Sequence, residues 1–170
     1  MYVDFKDLGC KIDLLDWKHQ YIEELRMWGA RKDVTQPLPN LKIAEHEIIK
    51  NLHESTELII KKLMNDLPPE AKQSNLKKFK VLDHQAMSIE LRGQKFDGKD
   101  ILIVYTIISS GSKTVLLALT LFEKDFEKFK EEFIDIVNSV QFYGDSKQKE
   151  AKIGKNETKK KNKGKKIKQL

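Results

Sequence analysis

Residues 101–142 constrain this chain more than any other stretch. Ile101–Ile108 is a near-continuous apolar run, Ser110-Gly111-Ser112 interrupts it, and Val115–Phe122 is apolar again. Short apolar runs bounded by turn residues read as strands, here buried on both faces or on one. The period then changes. Phe126, Phe129, Phe133, Ile136, Val137 and Val140 recur at helical spacing and predict an amphipathic helix from Asp125 to Ser139. Glu123, Asp125 and Glu127 suit the positive end of its dipole. Burying six such side chains contributes on the order of 10 kcal/mol gross, comparable to the net stability of a small domain. This helix must therefore dock on a sheet.

The residues before it supply the rest of that sheet and its cover. Val3, Phe5, Cys10, Ile12 and Leu14 alternate loosely, which predicts one or two short strands with a turn near Asp7–Gly9, and Trp17 anchors their end. Ile22, Leu25 and Trp28 fall at helical spacing, so Tyr21–Trp28 reads as one or two helical turns or, equally, as an extended edge strand. Thr35–Asn40 is irregular, because its two prolines donate nothing to a ladder. Leu41–Ile49 reads as a strand with Leu41, Ile43 and Glu45 on one face.

Asn51 then offers an N-cap with Glu54 three residues on, ahead of a helical stripe of Leu52, Thr56, Ile59, Ile60, Leu63, Met64 and Leu67. Pro68-Pro69 stops that helix. Phe79–Leu82 and Met87–Arg92 read as strands around a turn at Asp83–Gln85, and Asp97-Gly98 signals a hairpin.

At 170 residues the chain fits one domain. No apolar run is long enough to read as a membrane-spanning helix. The opening MYVDFKDLG carries acids where a signal peptide needs a basic and then an apolar segment, so the chain as written reads as cytosolic. A leader removed from a longer precursor makes it an exported protein instead. Cys10 is the single cysteine, so no internal disulfide forms.

The net charge of +6 hides a division. From Asp145 onward there are 11 lysines and three acids, a surplus of +8, which leaves −2 on residues 1–144. The tail mixes lysine with Gln, Asn, Gly and Thr, a composition that does not offset its ordering entropy. The expected organisation is a domain over 1–143 and a disordered Lys-rich tail over 144–170.

Several residues in the domain resemble those of the PsbP-like superfamily, which includes DcrB-like domains. Gly9-Cys10-Lys11-Ile12 and Trp17 are similar to that superfamily's opening pattern, with Leu15 near its usual proline. Ser55, Glu57 and Leu58 resemble the start of its first helix, and Ile136, Ser139, Val140 and Phe142 resemble its closing segment. The resemblance implies an α+β fold in which an antiparallel twisted sheet is covered by helices as an α/β/α sandwich. Its members include photosystem II extrinsic subunits, bacterial lipoproteins, secretion-effector chaperones and a Ran-binding import factor. The implied role is binding, assembly or chaperoning of another protein, with no reaction and no cofactor.

No catalytic, cofactor or metal motif survives inspection. His46-Glu47 and His53-Glu54 each start a zinc-protease pattern but lack the second histidine one turn on. Gly93–Asp100 mimics a phosphate loop, yet Asp100 replaces the Ser/Thr and a strand follows where a helix is required. Ser109, Ser110 and Ser112 are explained by turn chemistry. Cys10 has no activating partner in view and reads as a buried or edge thiol. Trp17 and Trp28 offer an aromatic surface or core anchors, the latter for Trp17. The remaining candidates are Lys159, Lys160, Lys161, Lys163, Lys165 and Lys166, which suit phosphates of nucleic acid or an anionic membrane surface. Lacking arginine and aromatics, they do not suit base readout.

Overall fold

The two central apolar runs pair with each other, Ile108 opposite Val115 and Leu102 opposite Leu121, as adjacent antiparallel strands. The structure is a computed structural model and describes residues 1–47, 51–66, 68–74 and 76–145. Its elements are β1 (Tyr2–Phe5), β2 (Cys10–Asp13), β3 (Lys18–Ile22), β4 (Met27–Arg31), β5 (Asn40–Glu45), α1 (Leu52–Asn65), β6 (Lys72–Gln73), β7 (Lys77–Val81), β8 (His84–Phe96), β9 (Lys99–Ser109), β10 (Thr114–Phe122), α2 (Phe126–Asn138) and β11 (Gln141–Phe142). The large sheet has the order β3-β4-β5-β10-β9-β8-β6, with β7 also on β8, and a small sheet has the order β1-β2-β11. Every pairing is antiparallel.

Alternation along the strands divides the large sheet into two faces. Leu102, Val104 and Ile108 of β9 and Val115, Leu117, Leu119 and Leu121 of β10 share one core with Phe129, Phe133, Ile136 and Val137 of α2. The small sheet closes the same core with Phe5, Cys10, Ile12 and Phe142. On the other face Met87, Ile107 and Leu116 meet Leu52 and Ile59 of α1. The result is the α/β/α arrangement that the resemblance implies.

Local chemistry fixes the joints. Asp97 and Gly98, at φ of 51° and 72°, form the turn between β8 and β9. The Glu54 N–H donates to Asn51 Oδ1 at 2.9 Å, the predicted cap of α1. At the end of α2, Ser139 Oγ accepts from the Asp13 N–H at 2.9 Å and donates to the Ile136 carbonyl at 2.6 Å, tying the helix to β2. Asp145, itself buried, accepts from the Phe142 N–H at 2.8 Å and lies 2.9 Å from His84 Nε2. These contacts fasten β11 to the start of β8.

Two expectations need correction, and one open alternative is decided. The turn before β8 falls at Leu82–Asp83, because Leu82 takes a φ of 54° and points its side chain outward, 42% exposed, while His84 already pairs with Val81. Residues 21–28 are the extended alternative, a hairpin of β3 and β4 joined by a short 3-10 turn at Glu23–Leu25. β5 ends at Glu45, with His46 and Glu47 already outside the strand; Glu45 stands opposite Val115 on the face of Leu41 and Ile43, as expected, but at the sheet's end its side chain is exposed. Ile48 and Ile49, the end of the predicted strand, lie outside the described residues, as do Lys50, the side chain of Leu63 and all of Leu67.

Candidate functional site

The sheet face that carries α1 is only partly covered by it. Ala30, Leu41 and Ile43 point into the opposite core, so the residues between them point to the α1 side. Gly29 stands opposite Lys42 on β5 and opposite Gln20 on β3, and Arg31 stands opposite Lys18. Lys18, Gln20, Arg31 and Lys42 are exposed.

Together with Ile22, Leu25, Val34 and Asn40 they line an open groove of about 440 Å³. Gly29 forms part of its floor. A Cβ there would lie 2.9 Å from Ile22 Cδ1, the movable end of a side chain, so the missing side chain is what keeps the groove open. Leu25 and Val34 are exposed apolar residues at its rim.

The electrostatics are one-sided. Lys18, Arg31 and Lys42 line the groove, and no acidic residue does. Among the described residues none of the three has an ion-pair partner within 4.0 Å. The neighbouring Lys32 differs, holding Asp16 at 2.6 Å and Glu132 at 2.7 Å. That contact keeps the Asp16 carboxyl below its usual range and raises the Lys32 ammonium, through Asp16 first and Glu132 second. Asn40 adds a buried side-chain oxygen without a hydrogen-bond partner among the described residues.

Behind the same hairpin, on the α2 side, lies an aromatic group. Trp28 meets Tyr21 and Phe5 edge-on, both at 5.2 Å between ring centres, and His19 at 6.1 Å. The Trp28 indole N–H donates to Asp7 Oδ2 at 3.2 Å. Tyr21 is 40% exposed, so this cluster is also a surface. Trp17, by contrast, is buried, donates to Glu132 Oε2 at 3.3 Å and packs on Phe129. It is the core anchor expected of it.

The other candidates stand apart. His46 follows β5 and His53 sits in the first turn of α1, paired with Glu57 at 3.1 Å. Among the described residues no three His, Cys, Asp or Glu side chains converge as metal ligands. The 93–100 segment is β8, a turn and the start of β9. Ser109 Oγ accepts from the Gly111 N–H and Ser110 Oγ from the Lys113 N–H, both at 3.1 Å, so these hydroxyls build the turn. Cys10 is buried, and burial, then Asp7 and Asp4, push its thiol up to about 12. A thiol so rarely ionised is a poor nucleophile. The lysines at 159, 160, 161, 163, 165 and 166 lie outside the described residues. Lys18, Arg31 and Lys42 are what sequence reasoning missed. Lys18 and Arg31 lay in a segment of unsettled structure, and Lys42 on the polar face of a predicted strand, with nothing in the sequence to bring the three together.

His46 carries a separate consequence. Its Nε2 is buried without a hydrogen-bond partner among the described residues, and burial lowers the imidazole below its ordinary value of 6.5. The unfolded chain therefore binds a proton that the folded one resists. Stability present above the unfolded value is lost as pH falls through it. The urea midpoint is expected to be lower at pH 5.5 than at pH 7.5, and His46→Gln to reduce that difference. An undiminished difference in the variant would contradict this.

No family model matches the sequence, and no curated protein matches it. Solved structures do. The chain is similar to cyanobacterial PsbP (CyanoP) from Synechocystis sp. PCC 6803, with a TM-score of 0.62 and 14% identity over 84% of this chain and 92% of that one. It is similar to LpqN, involved in cell envelope biogenesis of Mycobacterium tuberculosis, with a TM-score of 0.56 and 15% identity over 83% and 88%. It is also similar to PA94 from Pseudomonas aeruginosa, with a TM-score of 0.55 and 12% identity over 74% and 83%. At these identities the likeness concerns shape. The described residues contain no helix long and apolar enough to cross a membrane. The order of strands and helices, the two-faced sheet and these neighbours agree that the chain has the PsbP-like fold.

Proposed function

We propose that the protein is a non-enzymatic binding or assembly module that docks another protein on the open face of β3, β4 and β5. The observation that carries this reading is the groove itself. Three cations, with no ion-pair partner among the described residues, surround a glycine-floored depression with the apolar Leu25 and Val34 at its rim, on the part of the sheet that α1 leaves open. Such a site suits a partner whose contacting surface combines carboxylates with aliphatic side chains. The similarity to LpqN and to cyanobacterial PsbP fits a scaffold that works through its surfaces.

Photo-crosslinking residues placed at Leu25 and Val34 are expected to capture one and the same protein. A crosslinker at Leu58, exposed on α1, is the control. Equal capture from all three positions, or turnover of a small molecule by the purified chain, would overturn the reading.

A second reading rests on the charge division along the chain, −2 over residues 1–144 against +8 after them. In it, Lys159, Lys160, Lys161, Lys163, Lys165 and Lys166 hold the phosphates of nucleic acid or of an anionic membrane. Deleting residues 146–170 then abolishes salt-sensitive retention on DNA or on phosphatidylserine vesicles. Retention unchanged by the deletion removes this reading.

A further inference from the structure

Among the described residues β3 is the outermost strand of the large sheet, paired with β4 on one side only. Edge strands are ordinarily blunted by short length, charge, proline, a bulge or a covering element. Among the described residues β3 has no proline, bulge or covering element, and Lys18 is the one charged residue in its five. Its five residues are Lys18, His19, Gln20, Tyr21 and Ile22, in regular register with β4, and the first four are exposed.

Its composition is self-complementary under a two-fold axis. If Gln20 faces Gln20 of a second copy, antiparallel pairing sets His19 opposite Tyr21 and Lys18 opposite Ile22, twice over. The two carboxamides can exchange hydrogen bonds at the axis. His19 and Tyr21 both lie on the aromatic side, each already in contact with Trp28, so the pairing extends one aromatic cluster across the junction.

Charge gives the same direction. The strand begins at Lys18, and the 3-10 turn beyond its end holds the exposed Glu23 and Glu24. Antiparallel pairing brings Lys18 of each copy toward Glu23 and Glu24 of the other, with Asp16 already held by Lys32 and Arg26 following the two acids, whereas parallel pairing sets Lys18 beside Lys18. The Lys-rich tail is a poor occupant of this edge, because it carries no acids to meet Lys18 after Glu157.

From this edge we infer that the protein self-associates as a two-fold dimer through antiparallel pairing of β3 with β3 of a second copy. The large sheet then runs through both copies. The open groove stays accessible in each, since Lys42 and Gly29 lie one or two strands back from the axis.

The test uses the full chain. Cys10 is buried and is the only native cysteine, so Gln20→Cys introduces a single accessible thiol. Directly opposed residues of antiparallel strands lie about 4.5–5.5 Å apart at Cα, within disulfide range. Gln20→Cys is expected to form an intermolecular disulfide at least tenfold faster than Lys42→Cys under mild oxidation. Sedimentation equilibrium is expected to show a monomer–dimer equilibrium that Lys18→Glu weakens at least tenfold. The double variant Lys18→Glu with Glu24→Lys restores it by exchanging the charges. Equal crosslinking rates, a monomer at every concentration, or a dimer indifferent to Lys18→Glu would each overturn the inference.

Discussion

Phe133→Ala is expected to lower the free energy of unfolding by about 3–5 kcal/mol. Phe133 is 5% exposed and lies in the core that α2 shares with β9, β10 and the small sheet. Its ring packs among rigid neighbours drawn from three layers, so truncation leaves a cavity that backbone movement fills poorly. A domain of this size holds about 5–15 kcal/mol in all, so the variant loses a large fraction of that. Urea denaturation followed by circular dichroism measures the change. Ile134→Ala, one residue on but 44% exposed, serves as the control and should shift stability by less than about 1 kcal/mol. Equal midpoints for the two variants would mean that α2 is not seated as described.

Gly93→Ala comes next in size, at about 3 kcal/mol. Gly93 has a φ of 107° and sits where the pairing of β8 with β9 shifts between Arg92 and Gln94. A Cβ there would overlap Ala71 Cα and lie 2.9 Å from the Glu70 carbonyl oxygen. Both are backbone atoms of the turn leading into β6, whose Lys72 pairs with Arg92. The added methyl therefore strains its own backbone and displaces that turn. Gly29→Ala is the instructive comparison. Its Cβ meets only the tip of Ile22, so it should alter stability by less than about 1 kcal/mol while narrowing the groove. If Gly93→Ala unfolds at the same urea concentration as Gly29→Ala, the close crossing of 70–71 over β8 is wrong.

The central part of the fold was legible because its signals are local and periodic. All six apolar residues of the 125–139 helix pattern are buried or partly buried in the core that α2 joins. Asn51 and Asp97-Gly98 act as the cap and turn their chemistry implies. The β3–β4 hairpin was ambiguous for a physical reason. Its turn contains no glycine or proline, Arg26 takes the left-handed conformation at a φ of 50°, and Ile22, Leu25 and Trp28 imitate a helical stripe.

The groove was not legible at all. It exists because strand pairing sets Gly29 between Gln20 and Lys42 and places Arg31 beside Lys18. In the linear sequence those cations are three among 32 lysines and arginines. The His84–Asp145 contact was hidden likewise, since 61 residues separate the partners.

The most direct test of the open face as the working surface is recovery of one crosslinked partner by three forms of the chain. These are the native sequence, the variant Lys18→Glu with Arg31→Glu and Lys42→Glu, and the chain lacking 146–170. The three substituted cations are exposed and have no ion-pair partner among the described residues, so the variant should fold normally. The predicted result is loss of the partner with the triple variant and full recovery with the truncated chain. Full recovery with the triple variant and loss on truncation would contradict it.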